Sequence, residues 1–394
     1  MEITHHANSF IEIAENDTNL LCDPWISTAN HGAWHVVPDI PEAVAIQIVA
    51  RATHIYISHL HSDHLCTRLL KKCDLRNKIF IISKFPIPTL KQEIEALSPL
   101  SILQFEPWVK QQIGDFDLAI IPQVASSTSP TETSINYDLD TSLLVQSKRD
   151  KMVFFNKVDN PLPLASITQV MDFSLNTFGR KPDISTFNVG AASEYPQCFL
   201  GIDRDFERIR IIEQSLTSFE KEIAIIAPRF AFPAGGLYSL AGGRTVLNKW
   251  LAIPDATVVI NRAKIASPAT TTVDLMGAGS IKTQPTEPFI TATEGSWEFP
   301  EFNLLRASIF DYETTESTKD DEKCSYEESV ALALNTYRRM SAQFVPNLDW
   351  SIKINLYHNF EITESGEISN SKIDHTVHLR DDDSSNIITL HMDC

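Results

Sequence analysis

Within six residues, His59-Leu60-His61-Ser62-Asp63-His64 places four side chains able to bind a metal ion. The run leading into it, THIYISHL at 53–60, is rich in β-branched and aromatic residues and reads as a strand. Side chains two apart on an extended backbone face the same way, so His59 and His61 are placed to grip one ion. As the chain turns, Asp63 and His64 approach a second, adjacent position. Imidazole with carboxylate suits zinc, iron or manganese, giving a divalent-metal site for one or two ions. The competing reading is a polar loop that happens to hold three histidines. Four ligand-type side chains at one strand end weigh against it.

Such an ion has two uses. It lowers the pKa of a bound water toward about 7 and supplies hydroxide for attack on an ester, lactone or phosphoester. Asp63 would then orient the nucleophile or take its proton, a catalytic role beside its role as ligand. Held by two histidines and one carboxylate, the ion instead matches the arrangement of non-haem iron enzymes. Other chemistries find little support: the sequence holds no GxGxxG, GxxxxGK[ST] or GxSxG motif.

The elements that must position these side chains follow from the apolar pattern. ITHHANSFIEIA and NLLCDPW flank the polar turn ENDTN and read as an opening hairpin. KIFIIS (78–83), LSILQF (100–105), DLAIIP (117–122), TSLLVQ (141–146), KMVFFN (151–156) and EIAIIAP (222–228) are further strand candidates. RLLKKC, PTLKQEIEAL and DRDFERIRIIEQSLTSFEKE (203–222) carry helical spacing. Hairpins followed by alternating strands and helices predict a layered α/β domain over 1–310. The stretch 311–328, DYETTESTKDDEKCSYEE, is acidic and reads as a solvated linker or loop. Residues 329–394 read as a small α+β extension, with a helix candidate at ESVALALNTYRRM before β-rich runs.

Composition narrows the partners. Lysine and arginine total 33 against 51 aspartates and glutamates, a net charge of −18, which argues against a nucleic-acid binder. A local pocket for a small anionic metabolite stays compatible with that charge. At 43% hydrophobic residues the chain has ample material for a core, yet no apolar run approaches the roughly 18 residues that cross a bilayer. No membrane partner is expected. The opening residues show no basic segment followed by an apolar one, and the six cysteines form no paired pattern. The expected compartment is the cytoplasm.

His59-Leu60-His61-Ser62-Asp63-His64 resembles the HxHxDH signature of the metallo-β-lactamase superfamily. Further pieces are similar, in order, to the catalytic domain of CMP-N-acetylneuraminate hydroxylases and related bacterial proteins. They are Thr4-His5-His6-Ala7, Asp23-Pro24-Trp25, Gly32-Ala33-Trp34, Asn156-Lys157-Val158-Asp159, the run from Gly190 to Pro196, and PRFAFPAGG at 228–236. The resemblance implies an αββα sandwich of two mixed sheets with outer helices. It also implies His59 and His61 at a first metal, Asp63 and His64 at a second, and Asp159 as a bridging ligand. The plainer reading of Asp159 is a turn residue before Asn160-Pro161.

The departures are informative. The superfamily supplies another first-site histidine before the bridging aspartate and a last one well downstream, yet no histidine occurs from Leu65 to Tyr357. The first gap falls in PQVASSTSPTETSINYDLDT at 122–141. Three outcomes are open: one ion held by His59, His61 and a carboxylate; recruitment of His6, His31, His35, His358, His375 or His378; or loss of tight metal binding. Substrate-contact candidates are His6, Trp25, Trp34, His35, Ser193, Glu194, Tyr195 and Arg244, each with ordinary packing or surface exposure as the alternative. The functional expectation is a metal-dependent hydrolase, with an iron oxygenase as the alternative and a non-catalytic binding module as the third. The resembling hydroxylases carry a Rieske cluster, and this sequence has no C-x-H pair, so an oxygenase would take electrons from a separate donor or from its substrate.

Overall fold

A computed structural model describes residues 1–30, 32–124, 140–190, 192–285, 288–290, 351–357, 361–369, 373–378 and 387–393. The chain divides into two compact units, Met1–Phe310 and Asp311–Cys394. The acidic stretch 311–328 and the helix candidate after it lie outside the described residues, as does His31.

In the first unit, alternation decides the layers. Along Phe116–Pro122, Leu118 and Ile120 face one core while Ala119 and Ile121 face another. Thr141–Ser147 and Val153–Asn156 repeat this two-residue period, so both faces of their sheet are apolar and both are covered. One face meets the second sheet, bringing Phe116, Leu143 and Phe154 against Ile3, Ile13, Leu20 and Ile81. The other lies under the helices Leu164–Phe178, Arg204–Ile226 and Ala256–Ala266, through Val170, Phe219 and Val259 among others.

Both sheets are mixed. The eight-stranded sheet runs Pro288–Ile290, Gly279–Thr283, Glu2–Ala7, Phe10–Glu15, Thr18–Cys22, His54–Tyr56, Ile79–Ser83, Ser101–Phe105; it is antiparallel up to Thr18–Cys22 and parallel beyond. The seven-stranded sheet runs Thr271–Thr272, Phe230–Pro233, Ile184–Phe187, Val153–Asn156, Thr141–Ser147, Phe116–Pro122, Gln111–Ile113, with its first four strands parallel. Parallel neighbours need crossovers, and helices supply them: Glu42–Arg51 and Thr89–Ala96 for the first sheet and the three named above for the second. This is the metallo-β-lactamase-like αββα sandwich.

One strand candidate is corrected. EIAIIAP at 222–228 is the last turn of Arg204–Ile226, not a strand, because Ile223 and Ile226 extend the buried stripe begun by Leu216 and Phe219. RTVLNKW lies in a 3-10 helix, Gly242–Trp250. In the second unit, Ser351–Tyr357 pairs antiparallel with Ile373–His378 and parallel with Ile387–Asp393.

The opening strand carries a buried titratable group. His5 is fully buried, its Nε2 lies 2.8 Å from the Asn8 carbonyl oxygen, and burial lowers its pKa from 6.5 to about 4. Folded His5 therefore stays neutral while unfolded His5 protonates below about 6.5. The stability this contributes is complete above that pH and declines as pH falls toward 4, by up to about 3 kcal/mol. Denaturant unfolding of metal-free protein between pH 7 and 4 should show the decline, with a shallower slope in His5→Gln.

Candidate metal centre

The ends of several strands meet at one edge of the sandwich. The loops after His54–Tyr56 and Thr18–Cys22 supply His59 to His64 and Asp23; the second sheet supplies Asp140 just before Thr141–Ser147, Asp159 after Val153–Asn156 and Asn188 after Ile184–Phe187. A hydroxyl bridge joins the two sheets there. Tyr56 Oη lies 2.6 Å from Thr141 Oγ1, which donates to the Ser58 carbonyl at 2.7 Å.

His59, His61 and Asp140 form one group whose ligand atoms all lie within 4.8 Å of one another. His59 is buried, and its Nδ1 lies 2.9 Å from Ser58 Oγ, which leaves Nε2 turned toward the group. That Nε2 is 2.8 Å from His61 Nδ1 and 3.2 Å from Asp140 Oδ1. Burial, then the neighbouring His64 and His61, push the His59 pKa well below its ordinary value, so the ring is neutral and ready to ligate.

Asp63, His64 and Asp159 form the second group. His64 Nε2 lies 3.2 Å from Asp159 Oδ2 and 3.6 Å from Asp63 Oδ2, while its Nδ1 lies 3.1 Å from Asp23 Oδ2. Asp23 is itself fixed, accepting a hydrogen bond from the Ser58 backbone at 2.8 Å. Burial opposes charge on His64, yet Asp63, Asp23 and Asp159 outweigh it and hold the imidazolium well above its usual range. Burial likewise raises Asp63, whereas Asp159 is lowered because His64 and Lys157 more than offset its burial. Three carboxylates around one ring thus demand positive charge. A proton satisfies them here, and a metal cation with displacement of that proton satisfies them equally. Both donor sets fit first-row divalent ions.

The backbone is shaped around Asp159. Val158, a β-branched residue, sits at φ +55°, a conformation that such residues adopt only under constraint. Gly235 has φ +85°, and a Cβ there would fall 2.4 Å from Asp159 Oδ1. Gly235→Ala should therefore displace Asp159 and weaken binding at the second position by roughly 10- to 100-fold, as loss of ligand support does elsewhere. Metal titration followed by elemental analysis reads this directly.

The two groups open onto a cavity of about 410 Å³ lined by Asn30, Trp34, His61, Asp63, Asp140, Asp159, Asn188 and Ala192. Of the substrate-contact candidates, Trp34 lines it, stacked on Tyr238 with ring centroids 4.2 Å apart. Others are committed elsewhere. His6 is buried with Nε2 3.1 Å from Glu12, Trp25 is in the core, and His35 Nδ1 lies 3.0 Å from the Val36 carbonyl oxygen. Ser193 accepts from the Tyr195 backbone, Tyr195 packs edge-on against Phe199, and Arg244 lies 3.9 Å from Glu194. None of these four is among the cavity-lining residues.

Asp140 was not singled out in the sequence, although it falls in the segment lacking the expected histidine and directly precedes a strand. Asp23 stood in the Asp-Pro-Trp piece without a role, and Asn188 carried no signal of its own.

No family model matches the chain. Among curated proteins it is similar to a protein named as a Rieske 2Fe-2S iron-sulfur protein of Mycolicibacterium smegmatis, 26% identical over 168 residues, 42% of this chain and 31% of that protein. It is also similar to the cytidine monophosphate-N-acetylneuraminic acid hydroxylase of Asterias rubens, 27% identical over 211 residues, 51% of this chain and 28% of the hydroxylase. The chain spans about a third of the length of these relatives. Similar solved structures include CmlA, a diiron beta-hydroxylase from Streptomyces venezuelae, with TM-score 0.46 at 13% identity over 72% of this chain and 54% of CmlA. The metallo-beta-lactamase fold protein YhfI from Bacillus subtilis has TM-score 0.41 at 9% identity over 71% of this chain and 97% of YhfI.

Proposed function

We propose that this protein is a non-haem iron oxygenase with two adjacent ions, hydroxylating a small metabolite. The observation that carries the proposal is Asp140. It stands beside His59 and His61 where a third histidine was expected, which gives two imidazoles and one carboxylate. The sequence similarity to a hydroxylase over half of the chain supports the same reading. When bound, iron supplies the redox chemistry that activates dioxygen.

The chain's own residues do the rest. His59, His61 and Asp140 would hold the ion nearer solvent, since His61 is exposed; Asp63, His64 and Asp159 would hold the more buried one, backed by Asp23. The cavity admits a small substrate against Trp34, Asn30, Asn188 and Ala192. Hydroxylation of a C–H bond consumes one dioxygen, two electrons and two protons and releases water. A separate electron donor is therefore proposed as partner. One observation favours the hydrolytic alternative: Asp63 lines the cavity beside His64, a place from which it could accept a proton from metal-activated water.

Elemental analysis of anaerobically purified protein, with oxygen uptake in the presence of a reductant, separates the two. Iron with reductant-dependent uptake is the expected result. Two zinc ions without uptake would transfer the assignment to hydrolysis.

A further inference from the structure

Asn188 lines the cavity, and both ends of its amide are engaged by neighbours. Its Nδ2 donates to Asp159 Oδ1 at 2.9 Å, while its Oδ1 accepts from the Gly190 backbone at 3.1 Å, so the amide orientation is fixed from both ends. Neighbouring glycines make the room for this arrangement. A Cβ on Gly236, at φ +67°, would fall 2.5 Å from Asn188 Oδ1, and one on Gly190 would fall 2.3 Å from the Gly236 carbonyl oxygen. The Gly235-Gly236 turn is anchored in turn, with the Gly235 backbone donating to the Asn8 carbonyl at 3.1 Å.

We infer that Asn188 is a positioning residue that commits Asp159 Oδ1 to an amide hydrogen bond, so that Asp159 meets the second ion through Oδ2 alone. This rests on the two-ion reading above. Oδ2 is the oxygen that lies 3.2 Å from His64 Nε2, on the side of the ligand group. Rotating the carboxylate to offer both oxygens would break that amide hydrogen bond. Hydrogen bonds to the outer atoms of ligands set both orientation and affinity at metal sites.

The test is titration of metal-free, full-length protein with cobalt(II), read by calorimetry and by the visible spectrum. In Asn188→Leu, the ion at Asp63, His64 and Asp159 should bind about 10- to 100-fold more weakly and change its spectrum. The ion at His59 and His61, and the metal-free unfolding midpoint, should stay at wild-type values. Gly236→Ala, which keeps the amide but pushes it aside, should give the same selective loss and serves if Asn188→Leu does not fold. Wild-type affinity and spectrum in both variants would overturn the inference. So would equal weakening of both ions with a lowered metal-free midpoint, which is the mark of a structural role. Failure of the wild-type chain to take up a second ion would remove the two-ion reading, and this inference with it.

Discussion

Asp140→His should change which metal the protein keeps. The substitution exchanges the carboxylate beside His59 and His61 for a third imidazole, and an all-nitrogen set favours zinc over ferrous iron in the ordinary affinity order of divalent metals. Three histidines with an open position are also a set that catalytic zinc uses. On the iron-oxygenase reading proposed above, protein expressed with both metals supplied should pass from iron to zinc, and reductant-dependent oxygen uptake should fall on the order of a hundredfold or more. Asp140→Glu preserves the charge and should retain iron. Elemental analysis beside oxygen-electrode traces checks both variants. Wild-type iron content in Asp140→His would remove Asp140 from the ligand set.

The second large effect is a contrast between two histidines three positions apart. His61 is exposed, so His61→Ala removes little packing. It should abolish binding at the first position while the metal-free protein unfolds within about 0.5 kcal/mol of wild type. His64 is fully buried among Asp23, Asp63 and Asp159. His64→Ala leaves three carboxylates facing one another without a cation, and removing one partner of a buried charged cluster costs about 3–5 kcal/mol. Stability should fall by that order, together with loss of the second ion. Denaturant unfolding of the metal-free proteins, paired with metal titration, separates the two. Equal stabilities would mean that the carboxylates around His64 are not held as the geometry implies.

The fold and the cluster of metal-ligand-type side chains at its centre were legible because their signals are local. His59 to His64 follow a strand, and alternation along DLAIIP and TSLLVQ is enough to define a sheet covered on both faces. The apolar end of Arg204–Ile226 was misread because a short run of isoleucines has no periodicity of its own; only continuation of the Leu216–Phe219 stripe reveals a helix. Asp140 escaped for a different reason. Its partnership with His59 spans some eighty residues and depends on how two sheets stack, which no local pattern encodes. The same holds for Asn188, whose importance lies wholly in the aspartate it faces.

The Tyr56–Thr141–Ser58 bridge has a consequence for how the site is born. The loops of the first sheet carry His59, His61, Asp63 and His64, the second sheet carries Asp140 and Asp159, and the bridge marks where the sheets close. Each three-residue group is therefore complete only once the two sheets have stacked. Assembly of both donor sets is thereby coupled to closure of the sandwich.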